Sequence, residues 1–584
     1  MLELRTGRDF WHARAVPELG LEAVFMTDGP HGVRKQNSDP RRVNLTTTEP
    51  ATCFPTASAL AASWNPELLR EIGAALGREA RALGVGVLLG PGLNIKRSPL
   101  CGRNFEYFSE DPLLSGTLAS AYVSGVQSRG VAACPKHLAA NNQEHRRMTI
   151  DTLADERALR EIYLPGFEQV VRQAKPWAMM AAYNGLNGRY CTESPWLLGT
   201  VLRREWGYQG VVISDWGAVN DRTQAARAGL DLEMPGLSGD LTGGMSQALL
   251  DGRLTPEQVS ESARRLLDLL SRVQPTGPFP QDEDGLPSLS ARAQEAHHAL
   301  ARRAAAESCV LLKNEGGLLP LKEGQSIAVL GAMAQEPRYQ GAGSSVITPT
   351  CLDTPLEELR QVLGTGQVTY APGYIRHEGT TTEELLLQAR AAARQADVTL
   401  VFVGLPEVFE VEGVDRKHLD LPHSHRELID AALEVSEHVV IILQNGAPVV
   451  MPWHRRVPAI LEAYLGGQAG GGALADLLTG RVNPSGKLAE SFPLRLEDTP
   501  CHAFFPGDPK TAEYRESVYV GYRYYDSVEA PVLFPFGHGL SYTQFEYSDL
   551  QLSRTEFGGD DGLEVRLRVT NVGPVRGPKL FSFT

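Results

Sequence analysis

Residues 211–216 read VVISDW: three β-branched apolar residues, then a serine, an aspartate and a tryptophan. A run without polar alternation suits a strand buried on both faces, as in a parallel sheet. Asp215 stands at its end. Working outward, similar short apolar runs recur at residues 23–26, 85–89, 131–134, 178–182 and 230–234. Between them, residues 66–83, 112–129, 155–173 and 195–205 have helical character, each with Pro or Asp near its first turn. This many β/α units in one stretch predict a (β/α) barrel over residues 1–273.

A chain of 584 residues is too long for one core, since domains rarely exceed about 300 residues. Residues 274–290 (QPTGPFPQDEDGLPSLS) are rich in Pro, Gly and acids, and a linker is expected over 274–295. A second α/β pattern follows over 296–545. Its strands are expected at 327–330, 398–403, 439–443 and 459–463, with helices near 382–395 and 424–436. Those strands are too few for another barrel, so an α/β sandwich is expected. In the remainder, 546–584, residues 565–570 (VRLRVT) alternate as a half-exposed strand does. That stretch is too short for an independent β-sandwich.

Composition excludes several functions. Lys and Arg number 56 against 70 Asp and Glu, a net charge of −14, so no nucleic-acid partner is expected. Seven cysteines (Cys53, Cys101, Cys134, Cys191, Cys309, Cys351, Cys501) are scattered and never spaced CxxC, which argues against a disulfide framework and a zinc site. The start, MLELRTGRDFW, has no apolar signal region and no long apolar run occurs, so a cytoplasmic protein without a membrane partner is expected. The sequence is silent on oligomeric state.

In β/α barrels the site lies at the carboxyl ends of the strands. Those positions carry Asp28, Asn94, Lys136 with His137, Tyr183 with Asn184, Asp215 with Trp216, and Glu233. Any one of them could cap a helix. Six polar strand ends in one domain suit a hydroxyl-rich ligand, with an aromatic face to stack on a sugar ring. Glycoside cleavage needs two carboxylates flanking the scissile bond. Asp215 is one candidate, although it could equally cap a helix starting near Val219. Within the barrel Glu233 is a possible partner. Outside it, residues 404–422 (GLPEVFEVEGVDRKHLDLP) form an acidic loop with Phe409 and Asp415-Arg416, which could also be merely solvated.

At these residues the chain resembles glycoside hydrolase family 3, in its β-glucosidase branch. The matching runs are TDGPHGVRK (27–35), GPGLNIKRSPLCGRNFEYFSEDP (90–112), KHLAANNQE (136–144), ISDWG (213–217), EGVDRKHLDLP (412–422), VGYRYYD (520–526) and FPFGHGLSY (534–542). The resemblance spans residues 8–575. It implies a barrel, an α/β sandwich and a fibronectin-type-III-like domain, here only begun, and a retaining exo-β-glucosidase with neither metal nor cofactor. Its partner would be a small β-glucoside or oligosaccharide. By the resemblance Asp215 is the nucleophile and Glu412 the acid/base. Asp28, Arg103, Lys136, His137 and Tyr183 hold the sugar, and Trp216 borders the leaving-group subsite.

Physical expectations attach to these roles. Arg103 and Lys136 should keep Asp215 ionised, and closure of the 404–422 loop over the barrel should raise the pKa of Glu412 by desolvation. The chain departs from the family before Gly7, where six residues stand for a further helix, and at KLFSFT (579–584), which does not continue the expected strand. Three alternatives were weighed on residues. An N-acetylglucosaminidase would carry an Asp-His pair after Lys136-His137, where LAANNQEHRRM stands. A β-xylosidase tends to replace the Asp28 position by Glu, and an inactive sugar-binding homologue would lack a carboxylate.

Overall fold

The computed structural model describes residues 1–36, 48–236, 242, 244–274, 289–556, 558 and 562–577. The expected linker therefore lies largely outside the described residues, as does 579–584. The helix Ala291–Ser308 already begins inside the 274–295 stretch, with Ser290 capping it. A serine followed by alanines, with no Gly or Pro, is enough to start it there.

In the first domain Phe25–Asp28, Val85–Leu89 and Ala132–Ala133 form a parallel sheet, and Ala178–Ala181 pairs in parallel with Val211–Ser214. Single bridges Leu138–Ala181, Ile213–Leu232 and Thr6–Glu233 carry the ring onward. An antiparallel bridge from His12 to Phe25 closes it. Alternate strand residues divide between two cores. Val87, Leu89, Met180, Ile213 and Met234 pack with one another, while Leu88, Met179 and Val212 pack with the outer helices.

The run at 230–234 pairs with its neighbours by short backbone bridges, the Leu232 N–H donating to the Val212 carbonyl at 3.1 Å and the Ser214 N–H to the Leu232 carbonyl at 2.9 Å, and buried side chains reinforce the pairing. The buried Asp231 carboxylate accepts the Val212 N–H at 2.9 Å and ion-pairs with Arg203 and Arg265 at 2.7 and 2.9 Å. The Ser214 hydroxyl takes the Met234 N–H. These side chains add to the backbone pairing rather than replace it.

Outside the ring, Pro66–Ala82 and Pro112–Gln127 start on Asn65 and Asp111 caps. They approach so closely that a Cβ on Gly73 would lie 2.3 Å from the Tyr122 carbonyl oxygen. The expected helix at 155–173 is instead broken. It runs as Glu156–Ala158, a π-type turn Leu159–Tyr163, and Pro165–Gln173, because Pro165 has no N–H to continue the ladder.

The second domain holds a six-stranded sheet, Val368–Ala371, Ile327–Leu330, Val398–Gly404, Val439–Gln444, Ala459–Glu462 and Val310–Asn314, with the last antiparallel. The first and last of these edge strands were not expected from sequence. The chain then returns to the barrel: Thr511–Glu513 joins Asp151–Leu153 in a small sheet, and Lys96 pairs with Glu490 at 2.7 Å, both buried. Phe545–Leu552 and Val565–Asn571 form an exposed antiparallel ribbon, where the resemblance implied the start of a fibronectin-like domain. The chain is thus a two-domain α/β protein. No helix among the described residues is long and apolar enough to cross a membrane.

Candidate active site

Asp215 leaves the strand Val211–Ser214 with Oδ1 accepting the Trp216 N–H at 2.8 Å. It caps no helix, since Asp221 caps the next one, Arg222–Ala228. Its Oδ2 is buried without a hydrogen bond, 3.7 Å from His137 Nε2. Burial pushes the Asp215 carboxyl up to about 6, against Arg103, Arg147, Lys136 and the Trp216 N–H. Arg103 and Lys136 do favour the ionised form as expected, but desolvation outweighs them.

Those two cations are largely committed elsewhere. Glu106, fully buried, lies 2.8 Å from Arg103 and 3.2 Å from Lys136. Burial would raise its pKa, yet Arg103 and Lys136 hold it below the usual carboxylate range. Lys136 Nζ also stands 3.4 Å from Asp28 Oδ1, and Arg34 is 3.9 Å from Asp28 Oδ2. His137 donates its backbone N–H to Asn94 at 2.8 Å, and its Nδ1 lies 3.2 Å from the Tyr107 hydroxyl. Burial, with Arg103, Lys136 and Arg147 nearby, pushes the imidazole well below its ordinary value, so it is neutral. The Tyr183 hydroxyl donates to the Trp216 carbonyl at 3.0 Å. The half-buried Trp216 indole donates to the Phe10 carbonyl at 2.8 Å, with its ring 5.5 Å from Trp11.

Glu412 arrives from the second domain, on the loop after Val398–Gly404. The loop is pinned to the barrel by Asp415, whose carboxylate accepts N–H groups from Gly102, Glu144 and His145 at 3.0, 2.9 and 2.8 Å. Gly413 N–H donates to the Glu144 carboxylate at 2.7 Å, and Arg416 N–H to the Leu100 carbonyl at 2.8 Å. The contact is so close that a Cβ on Gly102 would fall 1.8 Å from the Val414 oxygen.

Once docked, Glu412 accepts the Ser344 N–H at 2.8 Å and meets Arg147 at 2.8 Å, with Arg103 at 3.9 Å. Arg147 is shared with Glu144 at 2.9 Å and lies over the Tyr183 ring. Burial does act upward on Glu412, but Arg103, Arg147 and Ser344 hold the carboxyl well below its usual range. The expected rise is therefore reversed: docking brings the loop to cations, and charge beats desolvation.

Asp28, Arg103, Lys136, His137, Tyr183, Asp215, Trp216 and Glu412 thus belong to one interconnected group. Glu233 does not, being tied to Arg222 at 2.6 Å. Glu106, Glu144, Arg147 and Ser344 join the group without having been singled out in the sequence. Arg147 sits in HRRM, where three neighbouring cationic or polar residues offer no means of choosing one. A cavity of about 720 Å³ lies elsewhere, between Trp177, Trp206, Arg264 and Arg272, and contains none of the group. Among the described residues no cluster of His, Cys, Asp or Glu is placed to hold a metal ion. Chemically, the group offers one carboxylate with an unshared oxygen, a second from another domain, and donors and acceptors suited to hydroxyls.

Comparison with known proteins adds the rest. Residues 39–269 match the glycosyl hydrolase family 3 N-terminal domain and residues 309–542 its C-terminal domain. A thermostable beta-glucosidase B of Acetivibrio thermocellus is 51% identical over 99% of this chain and 75% of its own length. An exo-alpha-(1->6)-L-arabinopyranosidase of Bifidobacterium breve is 43% identical over 98% of this chain and 75% of its own. Among solved structures, β-glucosidase 3B of Thermotoga neapolitana in complex with α-D-glucose superposes with a TM-score of 0.87 at 38% identity, covering 98% of this chain and 85% of that one. With both halves of its length matched in order, the chain belongs to glycoside hydrolase family 3, in the β-glucosidase branch, and is a glycoside hydrolase.

Proposed function

We propose that the chain is a retaining exo-β-glucosidase in which Asp215 is the nucleophile and Glu412 the acid/base. The observation that carries this is the buried Asp215 Oδ2 without a hydrogen bond. An unmet buried acceptor costs about 1–3 kcal/mol, and here it leaves a lone pair free for an electrophilic anomeric carbon. In the first step Asp215 attacks that carbon while Glu412 protonates the departing oxygen. In the second, Glu412 deprotonates the water that releases the sugar. Asp28 accepts sugar hydroxyls, Arg103 and Lys136 donate, His137 and Tyr183 supply neutral contacts, and Trp216 offers a face to the aglycone.

Glu412 is ionised in the empty site, so proton donation requires its tie to Arg147 to weaken. Arg147 already divides its nitrogens between Glu144 and Glu412. A sugar hydroxyl that took the second nitrogen would release the carboxyl to accept a proton.

The arabinopyranosidase among the relatives favours a second reading, a pentopyranoside substrate without the hydroxymethyl group. A panel of 4-nitrophenyl β-D-glucoside, β-D-xyloside and α-L-arabinopyranoside separates them, with product stereochemistry followed by NMR. The expected result is highest kcat/KM on the glucoside, with retention. Glu412→Ala should lose cellobiose hydrolysis far more than 2,4-dinitrophenyl glucoside cleavage, and azide should yield a β-glycosyl azide. Inverted product, or a Glu412→Ala enzyme with near-normal cellobiose turnover, would refute the proposal.

A further inference from the structure

We propose that Cys351, His298 and Asp353 form a reactive-thiol site, separate from the sugar pocket, that exchanges with low-molecular-weight disulfides. Cys351 is exposed, whereas the other six cysteines are buried. Its Sγ lies 3.2 Å from His298 Nδ1, and His298 Nε2 lies 3.3 Å from Asp353 Oδ2. The two ring nitrogens thus face different partners, in the order thiol, imidazole, carboxylate. That is the arrangement by which a base takes a proton from a nucleophile while a third group orients the base.

Gln468 completes the site. Its Oε1 accepts the Cys53 N–H at 3.1 Å, which can only donate, so its NH₂ must face the other way. That NH₂ stands 3.4 Å from Cys351 Sγ and 3.1 Å from His298 Nδ1, a donor for negative charge developing on sulfur. The Asp353 carboxylate beside it raises the basicity of His298 despite partial burial. Of the remaining charged neighbours, Arg302 pairs with Glu358 at 2.9 Å and Asp476 at 2.8 Å and also stands 4.0 Å from Asp353 Oδ2, which weakens the pull of Asp353 on His298 without cancelling it. Burial and Asp353 push the Cys351 thiol up, so the resting sulfur keeps its proton and His298 acts as base.

The exchange balances without any other oxidant. The Cys351 S–H proton passes to His298 Nδ1 and the sulfur attacks one sulfur of the disulfide R–S–S–R. A Cys351–S–S–R bond forms, the R–S–S–R bond breaks, and the leaving thiolate is protonated from the imidazolium. The protein thiol is oxidised and one half of the reagent is reduced. The site lies on the seam between domains, where Thr350 N–H donates to the Ala51 carbonyl and Gln468 N–H to that of Cys53. It touches none of the residues assigned to glycoside cleavage, so its fate is independent of that reading.

The test is incubation of the full chain with oxidised glutathione at pH 7, followed by intact-mass measurement and peptide mapping. One adduct per native chain is expected, on Cys351, forming at least tenfold faster than on a synthetic peptide of residues 347–355. Cys351→Ser should give none and keep its basal glycosidase activity, while His298→Asn should slow the adduct at least tenfold. The buried cysteines report unfolding of any variant by becoming labelled. If a variant unfolds, the wild-type-to-peptide ratio still decides. Adducts spread over several cysteines of the native chain, a native rate equal to the peptide's, or a folded His298→Asn that reacts at the wild-type rate would overturn the proposal.

Discussion

Replacing Asp415 should damage catalysis without touching a residue that meets the sugar. Its carboxylate accepts three backbone N–H groups from the barrel at 2.8–3.0 Å. Hydrogen bonds to a charged group are worth about 1.5–3 kcal/mol each, so the low end gives roughly 4–5 kcal/mol of docking for the Glu412 loop. Gly413 and Arg416 still hold the loop in Asp415→Ala, and water will satisfy part of what is lost. A net cost of about 2 kcal/mol corresponds to roughly thirtyfold in the docked-to-undocked ratio, so the loss of docked loop is at most thirtyfold and reaches that only where docking is already near balance.

If the loop carries the acid and the barrel the nucleophile, as proposed, the loss should depend on the leaving group. Asp415→Ala should cut kcat/KM for cellobiose by up to about thirtyfold and in every case at least threefold more than that for 2,4-dinitrophenyl glucoside, at unchanged global Tm within 2–3 °C. Asp415→Asn, which keeps an acceptor oxygen but no charge, should fall between. Equal losses on both substrates would refute the idea that Asp415 acts by placing Glu412. So would a large drop in Tm, which would mark a general role in the fold.

Two further outcomes follow from the same geometry. An unfolded Asp ionises near pH 4, while Asp215 in the fold holds its proton to about 6. The native state therefore binds more protons across that window, and stability falls as pH rises through it. Asp215→Asn, free of that burden, should be inactive yet about 1–3 kcal/mol more stable than wild type at pH 7–8, with the gap closing by pH 4. Urea melts at the two pH values check this, and a gap that widens at low pH contradicts it. Gly102→Ala should lose at least tenfold in cellobiose turnover, because its Cβ would strike the Val414 oxygen and lift the loop. Full activity in this variant would mean the loop is not docked as described.

The barrel strands were legible because burial on both faces leaves an uninterrupted apolar run, as at Val211–Ser214. The 230–234 run was legible too, since Leu232 pairs with Ile213 through its backbone, while Asp231, which looks like an interruption, takes the Val212 N–H on its side chain. The edge strand Val368–Ala371 is short and partly exposed, so it carries no buried run to detect. In the site, Asp215, Lys136 and His137 announce themselves at strand ends, whereas Glu412 came from the family resemblance. Arg147 and Ser344 were invisible because their meaning arises only when two domains meet over one carboxylate. The direction of the Glu412 pKa depends on Arg103 first and on those two residues with it, which is why desolvation alone has the wrong sign.

The closure of the barrel by its own first residues has a consequence for synthesis. Thr6 and His12 are made more than 220 residues before the partner of Thr6, Glu233, which is among the last ring residues to appear. At about 5–20 residues per second, the leading strand waits roughly 10–45 s on the ribosome for the bridge that seals the ring. Glu412 follows Glu233 by 179 residues in the chain, so the pocket gains the carboxylate proposed to partner Asp215 only after a further delay of similar length. The nascent chain must keep an open parallel sheet from pairing with its neighbours on a polysome throughout that interval, a vulnerability that the finished enzyme no longer shows.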